Sequence, residues 1–156
     1  MRSKPLLLAL LALFVTVVAA LSMVSRRRPV SGLVDGNLRS CPTTPNCASS
    51  VCRDGAHEVA PVTLYGDPQS EFERLVGLAQ ALPRTEMLQL TEDYAHFETV
   101  TRVLRFRGDV EFHLDAPGRK IHLRSASRVG HSDFGANRAF LEHLRALFQG
   151  RIPPSP

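Results

Sequence analysis

The sequence predicts an α+β domain: an antiparallel β-sheet with two helices packed on one face, preceded by an N-terminal apolar transmembrane or signal segment. Three observations carry this expectation. Phe72, Leu75, Val76, Ala79 and Leu82, and again Phe140, Leu141, Leu144, Leu147 and Phe148, recur at helical spacing. Asp109–Asp115 and Lys120–Ala126 alternate apolar with polar residues, as strands with one buried face do. Pro5 to Val24 is almost continuously apolar, interrupted by Thr16 and Ser22. At 156 residues, 44% hydrophobic and 22% charged, the chain has room for one domain. The expected organisation is an anchor or signal peptide over 1–28, a Pro- and Cys-containing linker and loop over 29–58, the α+β domain over 59–150 and a tail over 151–156.

Arg2 and Lys4 precede the apolar segment, as in the positively charged start of a secretory signal. Two readings compete. A signal peptide would be cut after a small-x-small site, and Ala20-Leu21-Ser22 offers one. A signal anchor would remain, because about 20 apolar residues span a bilayer core. Arg26, Arg27 and Arg28 directly follow and oppose easy translocation and cleavage, which favours the anchor. The positive flanks nearly balance, so charge alone does not orient the segment. The formal net charge is +4, but five of the 19 Lys+Arg flank this segment, leaving 14 against 15 Asp+Glu. The folded part is therefore close to neutral, and no nucleic-acid partner is expected.

Cys41, Cys47 and Cys52 lie close together in SCPTTPNCASSVC. A zinc site would need a fourth ligand, with His57 nearest, and the spacing matches no standard zinc pattern. Free buried thiols are a second possibility. A Cys41–Cys47 disulfide is favoured, because Pro42 and Pro45 prevent helix and hold a turn in which the sulfurs can meet. Cys52 is then the odd thiol. A disulfide needs an oxidising compartment. Beside a secretion-type segment it points to a single-pass protein of a bacterial inner membrane with its domain facing the periplasm, or to a periplasmic protein after cleavage.

Along the domain, Val59–Tyr65 reads as a first short strand. Asp67 as N-cap and Pro68 at the first helical position start a helix that Pro83 stops. Glu86–Leu90 reads as a short strand and Tyr94–Phe106 as a long one, rich in β-branched and aromatic residues. Arg107-Gly108 and Pro117-Gly118 read as turns. A Pro117-Gly118 turn sets Leu114 opposite Ile121, Phe112 opposite Leu123, Asp115 opposite Lys120, His113 opposite His122 and Glu111 opposite Arg124. Apolar meets apolar and acid meets base, which supports that register. The last helix runs from Phe134 or Gly135 to Gln149, with Ser132 or Asp133 as cap and Gly150 as terminator.

Three stretches carry a family likeness: Cys41-Pro42-Thr43-Thr44-Pro45-Asn46-Cys47-Ala48-Ser49-Ser50, then Asp109-Val110-Glu111-Phe112, then Arg124 to Arg138 (RSASRVGHSDFGANR). Together they resemble the family known as domain of unknown function 1499, over Cys41 to Phe148. Gly108 stands where that family commonly has an acidic residue, and Cys52 is extra. The resemblance implies an envelope protein of the kind found in bacteria, with relatives in photosynthetic plastids. It brings no activity, cofactor or catalytic residue.

The third stretch also holds more polar residues than packing requires. Arg124, Ser127, Arg128, Ser132, Asp133, Asn137 and Arg138 surround Gly130 and Gly135 where a strand leads into a helix N-terminus. Free N–H groups and the helix dipole favour an anion there, and Arg128 and Arg138 could clamp a phosphate or carboxylate. The ligand class would be an anionic small molecule or lipid head group. The competing expectation is internal: Asp133 caps the helix, Asn137 bonds loop backbone, Arg124 pairs with Glu111, and Arg128 or Arg138 with Asp109. A third reading makes Ser125, Ser127 or Ser132 a nucleophile with His131, His113 or His122 as base, although neither a nucleophile-elbow pattern nor metal-ligand spacing is present. Cys52 as a catalytic thiol has no support. The function expected is that of a non-enzymatic, membrane-tethered binding or scaffold module without a cofactor, with an envelope protein as a candidate partner. The alternative is a hydrolase-like enzyme built on the same loop.

Overall fold

The computed structural model describes residues 3–27 and 31–152. Arg2, Arg28 and the tail residues Pro153 to Pro156, part of the expectations above, lie outside them. Helix α1, Ser3–Ser25, is long and apolar enough to cross a membrane. The sheet comprises β1 (Cys47–Ser49), β2 (Val62–Thr63), β3 (Thr85–Leu90), β4 (Tyr94–Val100), β5 (Arg107–Asp115) and β6 (Lys120–Ser127). It is antiparallel throughout, in the order β1-β6-β5-β4-β3, with β2 also on the β6 edge. Helices α2 (Pro68–Gln80) and α3 (Ala136–Phe148) pack against each other and on one face of the sheet. That is the expected α+β architecture.

The core forms because every second residue of the central strands points at the helices. Phe97, Val110, Phe112, Ile121 and Leu123 are fully enclosed there with Phe72 and Leu75 of α2 and Leu141 and Leu144 of α3. The β5–β6 register matches the sequence expectation pair for pair, from Glu111 opposite Arg124 to Asp115 opposite Lys120. Asp67 caps α2 by accepting the Ser70 N–H at 2.8 Å, with Pro68 at the helix start.

Four expectations shift. Of Val59–Tyr65, only Val62 and Thr63 form a strand, paired with Ile121 and Lys120. Tyr94–Phe106 is not one strand. It breaks after Val100, where Thr101 bonds the Phe106 carbonyl and accepts the Phe106 N–H, closing a turn through Arg105 at φ 58°. Arg107 and Gly108 are not that turn but the start of β5, opposite Val100 and Thr99. Glycine is needed at 108 for another reason: a Cβ there would sit 3.0 Å from the Ala126 carbonyl oxygen and 3.2 Å from Thr99 Oγ1. Helix α3 begins at Ala136, because Phe134 and Gly135 are both left-handed (φ 54° and 81°).

Much of the stretch expected as linker and loop is integral to the fold. Residues 46–50 are buried, β1 extends the sheet, and Leu38 is enclosed. The second face of the sheet is covered as well. His96, Glu98, Asp109 and Glu111 project from it, yet each is at most 3% exposed.

Candidate functional site

The buried charges on that second face are matched in detail. Arg124 donates to Glu111 at 2.7 Å, and Tyr94 and the Gly32 N–H bond the other Glu111 oxygen. Burial and Glu111 together hold the Tyr94 hydroxyl well above the usual tyrosine range. Arg128 donates to both oxygens of Asp109 and, through Nη1, to Glu98 at 2.6 Å. Arg107 pairs with the other Glu98 oxygen. His96 Nε2 lies 2.8 Å from Asp109. Burial pushes the Asp109 carboxyl up, but Arg128 and then His96 outweigh it and hold the group below the carboxylate norm.

The same network grips the end of α1. Arg128 Nη1 donates to the Ser25 carbonyl at 3.2 Å and the Arg107 N–H to Ser25 Oγ at 3.3 Å, and Ser25 is wholly buried. A guanidinium at a helix C-terminus satisfies an orphan carbonyl and suits the dipole.

On the helix face, Asn137 is a hub. Its Oδ1 accepts from Ser125 at 2.5 Å; its Nδ2 donates to the Asn46 carbonyl, Ser127 Oγ and Asp133. Asp133 also accepts the N–H groups of Gly135 and Asn137, which caps the helix start. Asn46 Nδ2 reaches the Gly130 carbonyl at 2.7 Å. Arg138 donates to the carbonyls of Glu58, Gly55 and Ala56. The three stretches that carry the family likeness therefore converge in space and bond one another.

Of the candidate anion-site residues, Arg124, Arg128 and Arg138 thus face carboxylates or carbonyls. Ser127, Ser132, Asp133 and Asn137 instead line a cleft of about 480 Å³ at the end of the sheet beside the α3 N-terminus. Its apolar wall includes Val100, Leu104, Phe106, Val129, Phe134 and Phe140, and Gly108 and Ser125 line it too. The Thr85 hydroxyl on its wall is buried and has no hydrogen-bond partner among the described residues. That volume suits a small ligand. Most of this wall was not singled out from sequence. It comes from the β4–β5 turn and the β3 edge, and the only sequence signal was the apolar content of Val103, Leu104 and Phe106 in a stretch read as strand.

The remaining candidates lie elsewhere. Cys41 and Cys47 form a disulfide with sulfurs 2.07 Å apart. Cys52 is free and buried, and its sulfur accepts the Cys41 N–H at 3.3 Å. His113 and His122 face each other with ring centres 6.4 Å apart. His122 lies 3.2 Å from Ser50 Oγ, and burial lowers its pKa. No described histidine lines the cleft, and Ser125 is bonded to Asn137. Among the described residues no group of three His, Cys, Asp or Glu could hold a metal ion.

A model of a family described as "Protein of unknown function (DUF1499)" matches residues 37–148. No curated protein and no solved structure matches the chain.

Proposed function

The chain belongs to the DUF1499 family, and from that premise we propose that it is a membrane-tethered binding module whose site is the cleft between the sheet end and α3. The observation that carries this reading is the cleft's make-up: apolar walls from Val100, Leu104, Phe106, Val129 and Phe140, with Ser127, Ser132 and Thr85 as local polar groups. Such a mixture suits an amphiphile with an apolar body and a small polar head. An anionic head would meet Arg84, which lines the cleft, whereas Arg107 is paired with Glu98. Arg124 and Arg128 are occupied by buried carboxylates and contribute rigidity. Binding is favoured over hydrolysis because Ser125 and Ser127 bond Asn137 and no described histidine lines the cleft.

The tether is α1, and its buried contact with Arg107 and Arg128 would hold the domain close to the bilayer. The Cys41–Cys47 disulfide supports a periplasmic position, since such bonds persist in oxidising compartments. A reporter enzyme active only in the periplasm, fused after Pro156, should be active; a silent fusion at normal expression reverses the orientation. For the cleft, native mass spectrometry of the full chain released gently from membranes should detect a discrete adduct. Val129→Trp, which fills the cleft, should abolish it while Tyr65→Trp, far from it, should not. Bare wild-type protein overturns the reading.

A further inference from the structure

The cleft mouth is bordered by apolar side chains that the fold holds in water. Phe134 is 99% exposed and Val103 81%, and Leu104 lies beside Val103 at 40%. Leu104 and Phe134 line the cleft itself. Neither exposure reflects a loose chain. The Val103-Leu104 turn is pinned by the Thr101–Phe106 bonds at 2.9 Å in both directions. Phe134 occupies a left-handed conformation at φ 54°, unusual for a bulky residue, and Ser132 and Asp133 accept the N–H groups of Phe134 and Gly135.

Charge and connectivity identify what covers this rim. Arg84, Arg102 and Arg105 are exposed around it; the nearby acids are Glu86 on the same edge and Asp133, which is turned onto the N–H groups of Gly135 and Asn137. The turn ends at Phe106, one residue before Arg107, whose N–H bonds Ser25 at the end of the apolar helix. Arg26 and Arg27, which follow Ser25, are exposed too. The rim therefore lies next to the point where α1 would leave a bilayer. Apolar tips ringed by arginines suit an anionic membrane interface, where the tips enter the acyl boundary and the guanidinium groups meet head groups.

We propose that Val103, Leu104 and Phe134 insert into the surface of an anionic leaflet, so that the cleft opens onto the bilayer and takes a lipid acyl chain from it. This rests on the tethered-cleft reading above, and the test separates the two. The chain contains no tryptophan, so single tryptophans report their own surroundings. Full-length Phe134→Trp, Val103→Trp, Tyr65→Trp and Phe14→Trp variants would be reconstituted in phosphatidylcholine–phosphatidylglycerol vesicles with brominated acyl chains. Tryptophans at 134 and 103 should lose most of their emission to bromine, as at 14 within α1, while that at 65 keeps it. Adding Arg102→Glu and Arg105→Glu, or omitting phosphatidylglycerol, should restore emission at 134. Quenching at 14 with none at 134 and 103 overturns the insertion and leaves the tether standing. No quenching at 14 overturns both. Quenching at 134 that ignores charge reversal and lipid charge overturns the anionic selectivity.

Discussion

Arg128 Nε and Nη2 meet the two oxygens of Asp109 at 2.8 and 2.7 Å, with both side chains no more than 4% exposed. The fork geometry satisfies both carboxylate oxygens at once, while the remaining Nη1 serves Glu98 and Ser25. Removing such a partner leaves a buried charge uncompensated. Arg128→Ala should therefore lower unfolding free energy by roughly 3–5 kcal/mol. Arg128→Lys should recover little of it, because an ammonium cannot form the fork. Denaturant unfolding of the full chain in detergent measures both. A loss below about 1 kcal/mol, the level of an exposed pair, would mean that the network is not buried as described.

Asn137 closes the contact between the Pro-Asn-Cys stretch and the start of α3. Asn137→Ala strands the buried Ser125 hydroxyl and takes one of two donors from the Asn46 carbonyl, which keeps the Ser127 N–H. An unsatisfied buried group costs roughly 1–3 kcal/mol. The Asp133 cap survives in that variant through the Gly135 and Asn137 N–H groups; Asp133→Ala removes this cap but leaves Ser125 bonded to Asn137, and should cost less, about 1 kcal/mol. Ranking the two variants by thermal unfolding checks the hub; equal losses would assign the stability to the cap.

The structure also carries a pH-dependent latch. His57 is buried, with Nδ1 2.6 Å from Asp54 and Nε2 3.2 Å from the Thr44 carbonyl. The bond to Asp54 raises its pKa above the ordinary 6.5 despite burial, and the Thr44 carbonyl adds to the rise. Asp54, bonded by the His57 N–H and then by its ring, is lowered below 3.8. A raised histidine stabilises fully below its unfolded value and loses that contribution as pH rises through the folded one. A lowered carboxylate stabilises above its unfolded value and loses that as pH falls through the folded one. The Cys41–Cys47 loop should thus be held most firmly between these limits and loosen on mild alkalinisation. Histidine titration by NMR should give His57 a midpoint above 6.5, and His57→Gln should flatten the alkaline loss of stability. A His57 midpoint at or below that value removes the latch.

How much was legible follows from where each pattern was local. The β5–β6 pairing could be read because alternation fixes the face, and acid opposite base, Glu111 with Arg124 and Asp115 with Lys120, fixes the register. Asp67-Pro68 announced α2 by the same local logic. The burial of His96, Glu98, Asp109 and Glu111 was not legible, because alternating polar residues look like a wet face. The groups that meet this network from outside the sheet, Ser25 at the end of α1 and the Gly32 N–H, lie far away in sequence. The cleft escaped for a related reason: its walls come from β3, the β4–β5 turn, the loop after β6 and α3, which meet only in three dimensions. The arginines of the third signature stretch were legible as charged, but their partners decide their role, and those partners lie up to 103 residues away in sequence.

The cysteines give the last prediction. The Cys41–Cys47 disulfide closes a short loop with Cα atoms 5.6 Å apart, while Cys52 is buried beside Cys41. Non-reduced peptide mass spectrometry of exported protein should therefore show 41 linked to 47 and an intact thiol at 52, which alkylates only after unfolding. The paired Cys41→Ser and Cys47→Ser variant frees a short loop, and the chain-entropy cost of so small a ring is about 2 kcal/mol. Asn46, which lies within that loop, bonds Gly130 across the domain, so the loss should spread to the start of α3 and appear there as faster amide exchange. A link from Cys52 to either partner, or exchange confined to the loop, would show that the disulfide does not brace the α3 start.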